Sequence, residues 1–455
     1  MTMKRRAVRA MCLCLALPLF LFAPFLAVEA LAGVRVVRVA APSGVDDTAA
    51  IQAALDACVA AGPGCVVQFG PGIYKTRQVF AIGFHGAIQG RGAKLTTIEA
   101  LPGLTVTQAE RFWDNPPSAA EPYPALISFW NSDVAAADMT LRVTAFQPTT
   151  GWWYGEFVTW LEALIALEGP QSGSSAFDRI VFQGGPGENA GMNLNNGPMV
   201  GDSVVATNHR IRNCRFAAAA NGYEFATLSN ARVVVGGAPW FANTFEQGSA
   251  GGLLIDLYDS TAEVSFNRIV NPATPGYAAI NVYTMTPISG KQALVFLHDN
   301  MIDAAGDWID GIDLVDYGSL DGLKTLQAMV WNNVLRHQGG EGTSGVLAFG
   351  MDGAVISGNR ISGAPTDGIN VLRSVSNLIL ANDLRGLQAT HAAIWLQPTS
   401  SRCTVFGDPS TLVLDQGTDD TLIGVTPTTL TASASKAAPR TLQEKLDRLG
   451  KRVRR

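Results

Sequence analysis

Asn213-Cys-Arg-Phe216, Asn243-Thr-Phe245, Asn267-Arg-Ile269, Asn300-Met-Ile302, Asn333-Val-Leu335 and Asn359-Arg-Ile361 repeat one short phrase, with a degraded copy at Asp383-Leu384. Successive steps are 30, 24, 33, 33, 26 and 24 residues, too irregular for a helical solenoid and suited to coils whose turns accept insertions. Between the phrases lie short alternating runs rich in Val, Ile and Phe, split by Gly, Asn and Asp. Such a unit cannot bury its own apolar face, so units must stack into one core, with Asn piling on Asn at a recurring turn. The expected fold is all-β, a parallel β-solenoid.

A second phrase, small-apolar-x-apolar, recurs within each unit. Its copies are Gly222-Tyr-Glu-Phe225, Leu254-Ile-Asp-Leu257, Ala279-Ile-Asn-Val282, Gly311-Ile-Asp-Leu314, Gly345-Val-Leu-Ala348, Gly368-Ile-Asn-Val371 and Ala393-Ile-Trp-Leu396. Alternation along a strand sends the third residue outward if its neighbours point in. The expected outward column is then Glu224, Asp256, Asn281, Asp313, Leu347, Asn370 and Trp395. A second column, two residues on, holds Ala226, Tyr258, Tyr283, Val315, Phe349, Leu372 and Gln397.

Residues 1–32 read as a secretory signal: Lys4, Arg5, Arg6 and Arg9, an apolar stretch over 11–27, then Ala30-Leu-Ala32 as a cleavage site. Its removal would leave no integral membrane segment. Net charge is −5 overall; the first 32 residues carry four bases and one acid, and the last twenty eight bases and two acids, so residues 33–435 hold −14. An acidic body does not draw nucleic acid through its field. Cys58 and Cys65 are close enough in sequence to bridge in an oxidising compartment. Cys214 and Cys403 lie several coils apart and read as buried thiols.

Residues 44–58 form a short amphipathic helix, expected over 47–60, with Asp46 and Asp47 at its start and Ile51, Ala54, Leu55 and Cys58 on one stripe. A helix laid over the first coil would protect its open edge. Gly44-Val-Asp-Asp-Thr-Ala-Ala-Ile-Gln-Ala-Ala-Leu55, followed by Val66-Val-Gln-Phe69 and Pro71-Gly-Ile-Tyr-Lys-Thr76, resembles the N-terminal signature of the pectate-lyase-like superfamily. That resemblance implies a right-handed parallel β-helix over 33–425 and a carbohydrate-active habit, and the superfamily includes hydrolases, lyases, epimerases and non-catalytic adhesins. Ile309-Asp-Gly-Ile-Asp313 also resembles the Asn-Thr-Asp-Gly-Ile-Asp segment of polygalacturonase-type hydrolases, with Trp308 and Ile309 in place of Asn and Thr. The Asp-Asp, His-Gly and Arg-Ile-Lys segments of that family have no counterpart here.

Residues 108–175 break the repeat and read as an insertion containing a short helix over 156–167. Their tryptophans, Trp152 and Trp153 among them, could form a sugar-stacking wall. Residues 426–440 read as a linker, and 441–455 as a basic amphipathic tail suited to an anionic surface or a partner.

Glycoside hydrolysis needs two carboxyl groups across one bond, about 5 Å apart for retention or roughly 6.5–9.5 Å for inversion. Stacked rungs supply such spacings, so Asp256, Asp310, Asp313 and Glu224 are the candidate acids. Tyr258, Asn281, Tyr283, Asn370, Trp395, Trp152 and Trp153 are the candidate substrate contacts, and the acids around 307–316 could hold calcium. The expected function is cleavage of a polysaccharide by hydrolysis. A glycan-binding or structural surface protein and a calcium-assisted lyase are the alternatives.

Overall fold

Strand stacking in the computed structural model follows the repeat. The structure describes residues 34–102, 125–144, 149–152, 157–159, 163–169, 171–184, 190–195, 206–217, 224–246, 251–271, 278–284, 292–305, 310–338, 343–389 and 391–428. Each central coil visits three faces. One is formed by strands such as Ala231–Gly236, Thr261–Ser265 and Ala293–His298, the next by Thr244–Glu246, Arg268–Asn271 and Met301–Ala305, and the third by Gly251–Tyr258, Ala278–Thr284 and Asp310–Asp316. Pairing is parallel within every face, and the architecture is a right-handed parallel β-helix. Inward residues of all three faces form one core from Val39 to Val413.

The Asn ladder stands at the corner between the first two faces. Asn267 sends both its backbone N–H (3.0 Å) and its Nδ2 (3.1 Å) to Asn300 Oδ1, and Asn300 repeats this on Asn333 Oδ1 at 3.0 and 3.0 Å. Asn243, Asn333, Asn359 and Asn382 extend the same pattern. A buried turn thereby satisfies its own donors and acceptors, which the interior otherwise penalises.

Two members expected from the sequence are displaced by one residue. Asn213 instead takes the left-handed turn conformation at φ 55°, and the ladder position falls to buried Cys214, whose N–H donates to Asn243 Oδ1 at 2.9 Å. At the lower end Asn382 is the member, while Asp383 pairs with Arg385. The free Cys214 and Cys403 are both buried, and burial pushes their thiols up, to about 12 and about 11. They are inert packing groups.

The helix α1 (Thr48–Ala61) crosses the first coil as expected. Asp46 Oδ1 accepts the Thr48 N–H at 2.9 Å. Asp47 instead ties the helix to the coil, accepting from the Ser43 N–H (2.7 Å) and the Lys75 N–H (2.9 Å). Gln52 bonds both the carbonyl (2.7 Å) and the N–H (3.1 Å) of Phe80, and Ile51, Ala54, Leu55 and Cys58 are buried. The Cys58–Cys65 disulfide is present, closing a seven-residue separation with Cα atoms 5.4 Å apart. Constraining so short a loop is worth about 2–3 kcal/mol. The Cys58→Ser, Cys65→Ser double variant is therefore expected to unfold at a lower temperature and to lose its response to reductant, which a melting scan with and without dithiothreitol checks.

His209 is buried under the first face between Ser175 Oγ (2.9 Å) and Thr207 Oγ1 (3.0 Å), and burial depresses it to about 4. Its ordinary value is about 6.5, so as pH falls from about 6.5 to 4 the unfolded chain gains a proton that the folded chain refuses. Stability present above that window is lost within it, at up to about 1.4 kcal/mol per pH unit. The His209→Gln variant is expected to show a flatter fall in urea midpoint between pH 7 and pH 4.5 than the wild-type chain.

Within 108–175, the described residues 125–142 and 163–168 belong to regular coils. Ala125–Trp130 and Ala163–Glu168 are adjacent strands of the third face, and Asp133–Arg142 pairs with Ser175–Gln183 in the other sheet. Among the described residues of 156–167 strand replaces the expected helix: Phe157–Thr159 pairs antiparallel with Thr149–Trp152, and the apolar run at 163–168 is a fully buried strand. A short continuous apolar run carries no period that separates strand from helix. Trp152 lies in that hairpin, while Trp153, the signal segment and the basic tail fall outside the described residues.

Candidate functional site

The outer side of the third face carries the expected site, and its register is set at a tight corner. Ala278 pairs with Asp310 and Ile280 with Ile312, leaving Gly311 between them to turn inward. A Cβ on Gly311 would meet Gly345 O at 2.5 Å and core Leu335 Cδ2 at 2.7 Å; one on Gly345 would meet Gly368 O and Ile361 Cγ2, both at 2.6 Å, and one on Gly368 would meet Ala393 O at 2.4 Å and Leu387 Cδ2 at 2.6 Å. This is why the second phrase begins with a small residue. With Gly311 and Ile312 both directed inward, Asp310 and Asp313 flank them on the outer side.

The outer column runs Asn193, Glu224, Leu254, Asn281, Asp313, Leu347, Asn370 and Trp395. Asp256 is not a member. In its coil the phrase is Gly252-Leu-Leu-Ile255, two residues earlier than read from the sequence, so Leu254 stands beside Glu224 and Asp256 stands beside Tyr283. A register irregularity between Phe225 and Leu228 then sets Tyr258 beside Ser229. Glu224 and Asp256 are consequently separated by one rung and two residues, about 8 Å by strand spacing, and Asp256 and Asp313 by about 12 Å. The acidic strip is broken at Leu254. Asn193, in the phrase Gly191-Met-Asn-Leu194, is a further member, one coil before the first copy of the second phrase read from the sequence at Gly222.

These outward side chains are also covered. Asp256, Asn281, Asp313 and Asn370 expose only 2%, 6%, 7% and 7% of their surface. The neighbouring column forms a separate apolar cluster of Val315, Tyr317, Phe349 and Leu372 with Tyr283 packed against it. Tyr317 comes from the short turn Tyr317–Asp321 and meets Tyr283 and Phe349 with ring centroids 6.5 and 6.4 Å away. The Arg373 guanidinium lies 6.0 Å from the Phe349 ring centre.

Individual groups then sort by partner. Asp310 Oδ1 accepts the Ser344 N–H of the next rung. Asp316 is structural: fully buried, it receives the N–H groups of Thr325 (2.9 Å) and Leu326 (3.0 Å). Tyr258 is hydrogen-bonded to Asp256, and burial first, then that carboxylate, raise its hydroxyl pKa. Asp367, not anticipated as a site residue, is hydrogen-bonded to His391 Nδ1 at 2.7 Å and accepts from Asn370 Nδ2 at 3.4 Å. Gln397 Nε2 donates to Asn370 Oδ1 at 2.8 Å, and Trp395 Nε1 to Gln416 Oε1 at 3.1 Å.

Among the described residues no group of three or more His, Cys, Asp or Glu is arranged to hold a metal, and Asp307 lies outside them. No helix among them is long and apolar enough to cross a membrane.

No protein-family model matches the chain, and no curated protein matches it. Solved structures similar to it share the β-helix. Tailspike protein 2 from Escherichia coli O157:H7 bacteriophage CAB120 is 11% identical with a TM-score of 0.45, covering 89% of this chain and 48% of its own. Polygalacturonase from Erwinia carotovora ssp. carotovora is 11% identical with a TM-score of 0.38, covering 87% of this chain and 96% of its own. The catalytic unit of an α-1,3-glucanase from Streptomyces thermodiastaticus is 14% identical with a TM-score of 0.41, covering 89% and 71%. The chain spans about half the length of the tailspike structure. At these identities the likeness is one of fold.

Proposed function

We propose that the chain is a secreted carbohydrate-active enzyme that hydrolyses a polysaccharide at the outer side of the third face, with Asp310 and Asp313 among its acids. The observation that carries this reading is the corner at Gly311. It sets two carboxylates three residues apart on one side of a strand, between the amides of Asn281 and Asn370 and beside the Tyr283, Tyr317 and Phe349 rings. Carboxylates supply proton transfer, amides orient hydroxyls, and aromatic faces suit sugar rings. The −14 body disfavours a densely anionic chain, so a neutral or lightly charged glycan is the substrate. The Cys58–Cys65 bridge supports export to an oxidising compartment.

The test is a panel of polysaccharides incubated with purified protein, with and without chelator, reading reducing ends and absorbance of unsaturated products. New reducing ends without unsaturation support hydrolysis. Unsaturated, chelator-sensitive products would replace the reading with a calcium-assisted lyase, and retention on a glycan column without turnover would replace it with a binding protein.

A further inference from the structure

Asp299 (φ 55°), Asn332 (φ 53°) and Gly358 (φ 62°) each cross the corner between the first and second faces as a single residue in the left-handed conformation. Those are the residue types that tolerate it. One coil before Asp299 the same place holds Phe266 at φ 60°, half-buried and outside the core cluster. A bulky side chain is strained there. Strain kept where the core gains nothing points to a use outside the core. One coil earlier still the corner is lengthened to residues 237–242, and its short turn Pro239–Phe241 leaves Trp240 73% exposed.

Beside this corner His298, Trp331, Ser357 and Leu380 stand in register on successive rungs of the first face. The His298 ring lies parallel to Trp331, with centroids 4.2 Å apart and planes 11° apart, and meets the Phe266 ring edge-on at 5.7 Å. Two carboxylates fix it: Nδ1 is bonded to Asp299 Oδ2 at 2.7 Å, and Nε2 lies 3.5 Å from Glu263 Oε1. Burial works to lower the His298 pKa, and the two acids outweigh it, so the net shift is upward. His298 thus covers the face of Trp331 toward the preceding rung. The opposite face looks over Ser357, a small side chain, and the next large one in the column is Leu380, two rungs and about 10 Å from Trp331. That interval takes one ring stacked on the indole, about 5 Å from each side.

We propose that this corner is a second, non-catalytic glycan site, in which a sugar stacks on the Trp331 face above Ser357 and the chain follows the corner past Asn332 and Asp299 to Phe266 and Trp240. The inference rests on the polysaccharide reading above and adds a site on a different face from Asp310 and Asp313, one that holds polymer without reacting with it. Rim charges balance, Glu263 and Asp299 against protonated His298 and Arg232, which acts on Glu263 through its charge. Such a rim suits a neutral glycan, whose hydroxyls the acids and the Asn332 amide can bond.

The experiment uses the full chain and the polysaccharide it cleaves. In the Asp310→Asn protein, oligosaccharides of that polymer are expected to slow amide hydrogen exchange at 237–242, 332 and 357–358 as well as around 310–316. Adding Trp331→Ala is expected to abolish the first protection and keep the second, and Trp331→Phe, which retains a ring, to preserve both. With Asp310 intact, Trp331→Ala and Trp240→Ala are expected to lower kcat/KM on the polymer and leave it unchanged on short oligosaccharides. Phe266→Asn supplies a readout that packing alone would not give. Asparagine takes the left-handed corner more easily, so the urea midpoint is expected to be no lower than that of the wild type while corner protection falls. Corner protection that survives Trp331→Ala, equal losses on polymer and oligosaccharides, or a less stable Phe266→Asn protein that binds as the wild type does overturns the proposal. A wild-type dimer in sedimentation that Trp331→Ala dissolves makes the corner a protein interface and overturns it too. Turnover without corner protection leaves the hydrolytic reading standing and removes this one; neither turnover nor binding by the wild-type chain removes both.

Discussion

Asp310→Asn is expected to lower turnover of the cleaved polysaccharide by about 10²–10⁴-fold, the range for loss of one acid–base group, with the melting temperature nearly unchanged. The substitution keeps size and keeps an oxygen to accept the Ser344 N–H, so the rung contact survives while the carboxylate is lost. Asp256→Asn supplies the contrast. Its carboxylate stands in the neighbouring column beside Tyr283 and bonds Tyr258, away from the Gly311 corner, and its loss is expected to change kcat less than about tenfold. Initial rates and thermal scans on the two proteins measure both quantities. If Asp256→Asn is the more damaging, the chemistry lies one column over and two coils up, and the corner is only a turn.

The distinction between those two aspartates shows how far the sequence could be read. Stacked coils were legible because the Asn turn and the small-residue corner are each forced by something local. The first needs donors for a buried bend, and the second has no room for a Cβ beside Leu335. The capping helix was legible because its apolar stripe and Asp start coincide. Register at Asp256 follows the small residue: Gly252-Leu-Leu-Ile255 begins with one and Leu254-Ile-Asp-Leu257 does not, so placing Asp256 in the column rested on the apolar-x-apolar pattern alone, and pairing with both neighbours decides against it. Alternation also says which side of a sheet a residue takes, and nothing of what lies over that side, so an outward column was expected open and is covered. Asp367 repeats the Asp-Gly-Ile phrase of Asp310 and reads in the sequence as a shared turn; its contact with His391, 24 residues on, exists only once the coils stack.

The largest expected loss of stability comes from Asn300→Ala, about 2–4 kcal/mol. Asn300 Oδ1 accepts the backbone N–H of Asn267, and its Nδ2 reaches Val264 O at 2.8 Å and Asn333 Oδ1 at 3.0 Å, all at positions closed to water. Alanine leaves the Asn267 N–H without its acceptor, and a buried donor so stranded costs about 1–3 kcal/mol, to which the lost bonds to Val264 and Asn333 add. Asn300→Asp keeps the acceptor but turns the donor into a second acceptor facing two oxygens, so it is expected to be at least as damaging. Asn213 opens the same sequence phrase and behaves differently. It supplies the left-handed turn at φ 55° instead of a ladder rung, so Asn213→Gly, which adopts that conformation freely, is expected to stay within about 0.5 kcal/mol of wild type apart from losing one bond to Asp178. Urea midpoints for the three proteins check this order. Because each coil contacts only its neighbours, hydrogen exchange in Asn300→Ala should rise first around residues 261–271 and 293–305, spreading outward only as those coils open. Uniform loss of protection along the whole helix, or an Asn213→Gly protein as weak as Asn300→Ala, would mean that the ladder is not what holds this corner.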